Sequence, residues 1–210
     1  MPEAGLVLHQ LFSPAFPTGG FAYSHGLETL VAEARLTSGA ELEAWLADWL
    51  SHGAGWSDAV LFAQAAAGAD PAPLAELAAA LSGAAHRRRE TALTGAAFAA
   101  TARRVWGLDL PDMAYPVAAG RAVHLLRLDP GAALEACLMA AVQTYAGAAM
   151  RLVPLGQGEG QAAIAGATPR IAATARAALS ATLDEIGGFA PALDIAAMRH
   201  EALETKLFRS

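Results

Sequence analysis

A chain of 210 residues is sized for one domain with a substantial core, and 55% hydrophobic against 16% charged residues leaves a charge-poor surface with apolar area open to a partner. The net charge of −6 argues against a nucleic-acid binder, which carries a basic surplus. A single cysteine, Cys137, excludes an internal disulfide and a multi-cysteine zinc site and suits a reducing, cytoplasmic setting.

No secretory signal peptide is recognisable at the start, and residues 1–20 read as an extended segment. Within it Pro14 and Pro17 bias their predecessors to extended backbone, and Gly19 and Gly20 then allow a sharp corner. From Phe21 the pattern turns helical, with Tyr23, Leu27, Leu30 and Val31 near three-and-four spacing and Glu28 on another face, which predicts a helix over roughly 22–35. A rigid corner carrying Tyr23, Ser24 and Glu28 reads in two ways: as a contact surface, or as the seat of the first helix.

Ser38-x-x-Glu41 is a capping box, and the stripe Leu42, Trp45, Leu46, Trp49, Leu50 predicts an amphipathic helix ended by Gly53 and Gly55. Its tryptophans anchor a core or, in the other reading, line an aromatic slot. A helix is predicted from Ser57-Asp58 to Gly68, and Asp70-Pro71 opens another that reads as continuous to about Val105, with Gly83 and Gly95 as weak points. Inside it His86-Arg87-Arg88-Arg89-Glu90-Thr91 is the densest charge in the chain; it is either a solvated turn with Glu90 paired locally or a contact surface.

Trp106-Gly107 ends that helix, Tyr115-Pro116 opens the next, and Asp129-Pro130 caps a helix of about 22 residues, roughly 33 Å at 1.5 Å per residue. Apolar nearly all round, this helix belongs at the centre of a bundle, with Cys137 favoured as a buried, inert thiol over a metal ligand. The uncharged run 136–150 within it includes Gln143 and Thr144 and falls short of the roughly 20 residues of a membrane span. Arg151 closes the helix, suited both to its negative end and to a partner. Gly156 to Gln161 reads as a glycine-rich loop, but it lacks a P-loop lysine and a preceding strand. Thr168-Pro169 predicts a further helix start, and from Asp194 charged and apolar residues alternate closely, as in a tail that orders against something else.

The pattern therefore predicts an all-α, single-domain bundle of about eight to ten helices without a sheet. The six histidines are scattered without ligand spacing, so a metal cage needs distant residues to converge. Ala22-Tyr-Ser24-His-Gly26 is a degenerate echo of a serine nucleophile elbow, a motif that requires a preceding strand.

Four ordered blocks carry a resemblance: Pro17-x-Gly19-Gly20-Phe21-x-Tyr23-Ser24-x-Gly26-Leu27-Glu28, the basic segment 86–91, Val153-Pro154-Leu155-Gly156-Gln157, and Leu193 to Glu201 leading to Leu207-Phe208-Arg209-Ser210. Together they resemble the urease accessory protein UreF family. The resemblance implies an all-helical, dimerising protein that does no chemistry and holds no cofactor of its own. It also implies assembly with the accessory protein UreD (also called UreH) and the nickel-carrying GTPase UreG to load apo-urease. On that reading Pro17, Gly19, Gly20, Tyr23, Ser24 and Glu28, with the tail from residue 194 including His200, Glu201, Phe208 and Arg209, face the companion protein. Arg88, Glu90 and Arg151 face the GTPase or a second subunit. The tail departs from the family pattern at Lys206, where an arginine is expected, and lysine lacks the planar fork for bidentate pairing. The other two readings are an unrelated helical adaptor and a serine hydrolase using Ser24.

Overall fold

The computed structural model describes residues 3–209, and these contain ten α-helices and no strand. In chain order the helices are α1 (Ala4–Leu11), α2 (Leu27–Ala32), α3 (Gly39–His52), α4 (Ala54–Ala66), α5 (Pro71–Leu81), α6 (Ala85–Trp106), α7 (Tyr115–Leu126), α8 (Pro130–Leu152), α9 (Gln157–Ser180) and α10 (Pro191–His200), with short 3-10 turns at Gly20–Ala22 and Leu183–Glu185. Met1, Pro2 and Ser210, the last residue of the fourth block, lie outside the described residues.

The apolar stripes decide the packing. Helix α8 is the centre, touching α1, α2, α3, α4, α7 and α9. Its Leu134, Leu138, Val142 and Tyr145 are buried together with Ala133, Ala146, Ala148 and Ala149, so large side chains fill space on one side while alanines admit close helices on others. Leu42, Trp45, Leu46, Trp49 and Leu50 of α3 are all buried; the two indoles are core anchors, as their spacing predicts. Helices α4 and α7 approach closely at Gly120, where a Cβ would lie 2.3 Å from the Phe62 carbonyl oxygen. The Ser38–Glu41 capping box is present in full, with Glu41 N–H donating to Ser38 Oγ at 3.3 Å and Ser38 N–H to Glu41 Oε2 at 3.1 Å.

Several boundaries differ from the sequence expectation. Residues 4–11, expected to be extended, form α1, because Leu8, Leu11 and the following Phe12 find a buried face against the bundle. The helix expected over 22–35 shrinks to α2, since His25 and Gly26 adopt positive φ (55° and 82°) and Ala34 (φ 54°) ends it. Helix α4 begins at Ala54, three residues before the expected Ser57. The helix expected from Pro71 to Val105 is two helices. Ser82 Oγ donates to the Ala78 carbonyl at 2.9 Å as α5 ends, and α6 starts where Glu201 Oε1 receives Ala85 N–H at 3.1 Å and His86 N–H at 3.4 Å. The glycine-rich stretch 156–161 is the first turn of α9, closed by Gly156 N–H donating to Glu159 Oε2 at 3.0 Å. Pro169 lies inside that helix; it cannot donate to the Ala165 carbonyl, and both residues are exposed. Helix α10 begins at Pro191, before the expected Asp194.

Candidate functional site

The corner and the tail meet. Gly19 (φ 75°) turns the chain into the 3-10 segment, Tyr23 is extended and buried, and the left-handed pair His25-Gly26 delivers the chain into α2. Gly26 is required twice over: its φ is left-handed, and a Cβ there would lie 2.8 Å from the Ala197 backbone nitrogen of α10. His25 has no such excuse for its φ, which costs a non-glycine residue roughly 1–2 kcal/mol. Its ring is held from two sides, by Trp49 Nε1–H donating to Nε2 at 3.1 Å and by Tyr145 Oη 3.3 Å from Nδ1. An indole N–H can only donate, so Nε2 carries a lone pair and the ring proton sits on Nδ1, facing Tyr145 Oη with Glu90 Oε2 beyond it at 3.8 Å.

Glu28, the second residue of α2, is the centre of the arrangement. Though ionisable, it is only 6% exposed. Its carboxylate accepts from Leu207 N–H at 2.6 Å, from Phe208 N–H at 3.2 Å and from His200 Nε2 at 2.9 Å. Hydrogen bonds to a charged group contribute about 1.5–3 kcal/mol each, and the acceptor-only carboxylate fixes the His200 proton on Nε2. His200, fully buried, turns its Nδ1 to His86 Nδ1 at 3.4 Å, where a single proton can be shared. Beyond Phe208, Arg209 N–H donates to the Ala22 carbonyl at 2.8 Å.

Phe208 is buried, and the Arg151 guanidinium stands 4.5 Å from its ring centroid. Arg151 also donates to the Phe21 carbonyl at 3.1 Å and the Gly147 carbonyl at 3.1 Å. Burial of a phenylalanine is worth roughly 1.5–3 kcal/mol and the cation–π contact about 0.5–1 kcal/mol. The tail is thus ordered against its own chain. Either side of it Phe21 (71% exposed) and Leu207 (75%) present apolar side chains to solvent.

Of the residues singled out in the sequence, Tyr23, Ser24, Glu28, Glu90, His200 and Phe208 are buried. Pro17, Arg88, Arg151, Glu201 and Arg209 are exposed, and Gly19 and Gly20 half-buried. Lys206, the departure from the family pattern, makes a local bond from Nζ to the Glu201 carbonyl at 3.0 Å. Ser24 Oγ accepts Glu28 N–H at 3.4 Å in a turn leading into a helix, where a nucleophile elbow requires a strand.

Sequence reasoning had Arg87 in the basic segment as solvated or partner-facing and missed that its guanidinium donates to Asp58. Burial works against its charge, but the Asp58 and Glu90 carboxylates outweigh that and hold the group firmly protonated. This pair lies on the wall of a cavity of about 460 Å³ that runs beneath the corner loop between Phe12, Phe16, Phe62 and Leu138. Nothing in the linear pattern identifies Asp58 as the partner, 29 residues away on another helix. Cys137 is buried, and its thiol is pushed up to about 12 by burial. Burial likewise raises Tyr145 and Tyr115 above the usual phenol range. No group of three or more His, Cys, Asp or Glu side chains suited to a metal ion occurs among the described residues. Nor is any described helix long and apolar enough to cross a membrane.

The family model UreF matches residues 36–168, from just before α3 into the middle of α9, and so leaves out both the corner and the tail. Similarity to whole proteins covers those ends too. The chain is 48% identical over 210 residues to a urease accessory protein UreF of Cereibacter sphaeroides, covering 100% of both chains. It is 46% identical over 211 residues to one of Paracoccus denitrificans (100% of this chain, 98% of that one) and 44% identical over 217 residues to one of Rhizobium leguminosarum bv. viciae (99% and 97%). A family match across most of the bundle and relatives near half identity over the full length lead to one assignment: the chain belongs to the UreF family of urease accessory proteins.

Proposed function

We propose that this chain is a cytoplasmic, homodimeric scaffold of urease maturation that bridges UreD/UreH and the UreG GTPase so that nickel reaches apo-urease, with the metal as cargo and no resident cofactor or catalysis of its own. The observation that carries this reading is the junction at Glu28. The corner block, the basic block and the tail block, far apart in sequence, are tied together there by Glu28–His200 (2.9 Å) and His200–His86 (3.4 Å). The third block begins two residues after Arg151, which holds Phe21 and Phe208.

The companion UreD/UreH docks on the composite face made by Pro17, Gly19, Gly20, Phe21, Leu207 and Arg209, with Tyr23, Ser24, Glu28, His200 and Phe208 shaping it from beneath. Exposed apolar side chains supply the area and a polar rim the register. Arg88, exposed on α6 near the buried Glu90, and Arg151 are contacts for the GTPase or the second subunit. Coupling to nucleotide needs differential affinity: an assembly that binds one nucleotide state of the GTPase better converts turnover into release by linkage. The family assignment displaces the unrelated-adaptor reading, and no observation favours a hydrolase.

The test is a pull-down of purified UreD/UreH and UreG on the immobilised chain, with and without guanine nucleotide. Retention of both, with UreG retention dependent on nucleotide, supports the scaffold. Failure to retain either partner contradicts it.

A further inference from the structure

We propose that the recess between the 3-10 corner, α2 and the end of α8 is a peptide-binding socket whose occupant, the chain's own Leu207–Arg209, is exchangeable with the same segment of a second copy. The proposal is independent of the partner assignment above. The socket reads features that any chain carrying this short sequence presents. Glu28 takes two consecutive backbone amides, the Ala22 carbonyl takes a third, and Arg151 covers one aromatic ring. None of these interactions depends on the tail being continuous with α10 of the same molecule.

The link allows the exchange. Between His200 and Phe208 the chain runs through turns and bends, and every residue from Glu201 to Leu207 is exposed except the half-buried Leu203. The Lys206–Glu201 bond stays inside the link, and Glu201 is anchored separately, by the N–H groups at the start of α6. The anchor at Phe208 can therefore open without disturbing α10, because weakly buried segments open locally at lower cost than the core. Closed and exchanged forms make the same contacts, which is the condition for swapping a segment between identical chains. The tail in cis competes at an effective concentration on the order of millimolar for so short a link. The ligand class is an extended peptide with an aromatic residue directly after an apolar one and both of their amides free.

The test is a fluorescence-anisotropy titration of a labelled synthetic peptide of residues 201–210 into three full-length chains: unsubstituted, Phe208→Ala, and Phe208→Ala with Glu28→Gln. The expected result is binding to Phe208→Ala at least about tenfold tighter than to the unsubstituted chain, whose own tail blocks the socket, and loss of that gain in the double variant. Equal binding to all three, or a gain that survives Glu28→Gln, overturns the proposal. A second measurement needs no substitution: amide exchange at Leu207 and Phe208 in the unsubstituted chain. Exchange there faster than in α8 supports an opening tail. Exchange only at the rate of global unfolding overturns it, whether or not the Phe208→Ala chain folds.

Discussion

Helix α8 and the C-terminal tail are both seated by an aromatic ring, but they are held in opposite ways. Tyr145 on α8 sits among Trp45, Trp49 and His25 at ring separations of 5.6, 5.1 and 4.9 Å, and eight other residues of that helix are buried beside it. Phe208 in the tail has one buried ring, one covering guanidinium and one carboxylate that takes the adjacent amides. The core spreads its stability over many small contacts, whereas the tail concentrates its own in Glu28. A region of the second kind can be released without unfolding the first.

Substitutions can break this contrast, beginning with the largest effect. Tyr145→Ala removes a buried ring and its bond to His25, and should cost about 3–5 kcal/mol of global stability, read as a lower urea midpoint with core and tail lost together. Glu28→Gln keeps the shape but not the charge and should weaken tail closure by about 1–3 kcal/mol. Amide exchange should quicken at Leu207 and Phe208 while α8 protection is unchanged; equal loss in both would make the tail part of the core. Arg151→Ala should cost roughly 0.5–1 kcal/mol for the lost ring contact, visible in the same tail amides.

The smallest effect at neutral pH belongs to Cys137. Its thiol rises from 9.0 to about 12 on folding, so between those values the unfolded chain has released the proton that the native chain still binds. Stability then falls as pH rises through that window and is unaffected below it. Chemical denaturation at pH 8 and at pH 10.5, compared with a Cys137→Ala chain, checks the sign: the slope should be shallower without the thiol.

The same contrast explains how much was legible in the sequence. The bundle was, because the α3 stripe, the α8 pattern and the Ser38–Glu41 box are local rules with local consequences. The blocks at the two ends were legible as motifs but their meeting was not. Glu28 reads as one more polar position on a helix face, yet its partners lie 172 to 180 residues away. The break between α5 and α6 escaped for the same reason, since the side chain that caps α6 comes from Glu201. Arg87 was hidden in a run of three arginines that local pattern could not tell apart, and its partner Asp58 lies 29 residues away on α4.

The central claim, that corner and tail form one docking face set by Glu28, is tested most directly by calorimetric titration of purified UreD/UreH into the unsubstituted chain and into Glu28→Gln, with circular dichroism confirming equal helix content. The account predicts affinity at least about tenfold weaker for Glu28→Gln, a difference of about 1.4 kcal/mol. Equal affinity in two equally folded chains would contradict it.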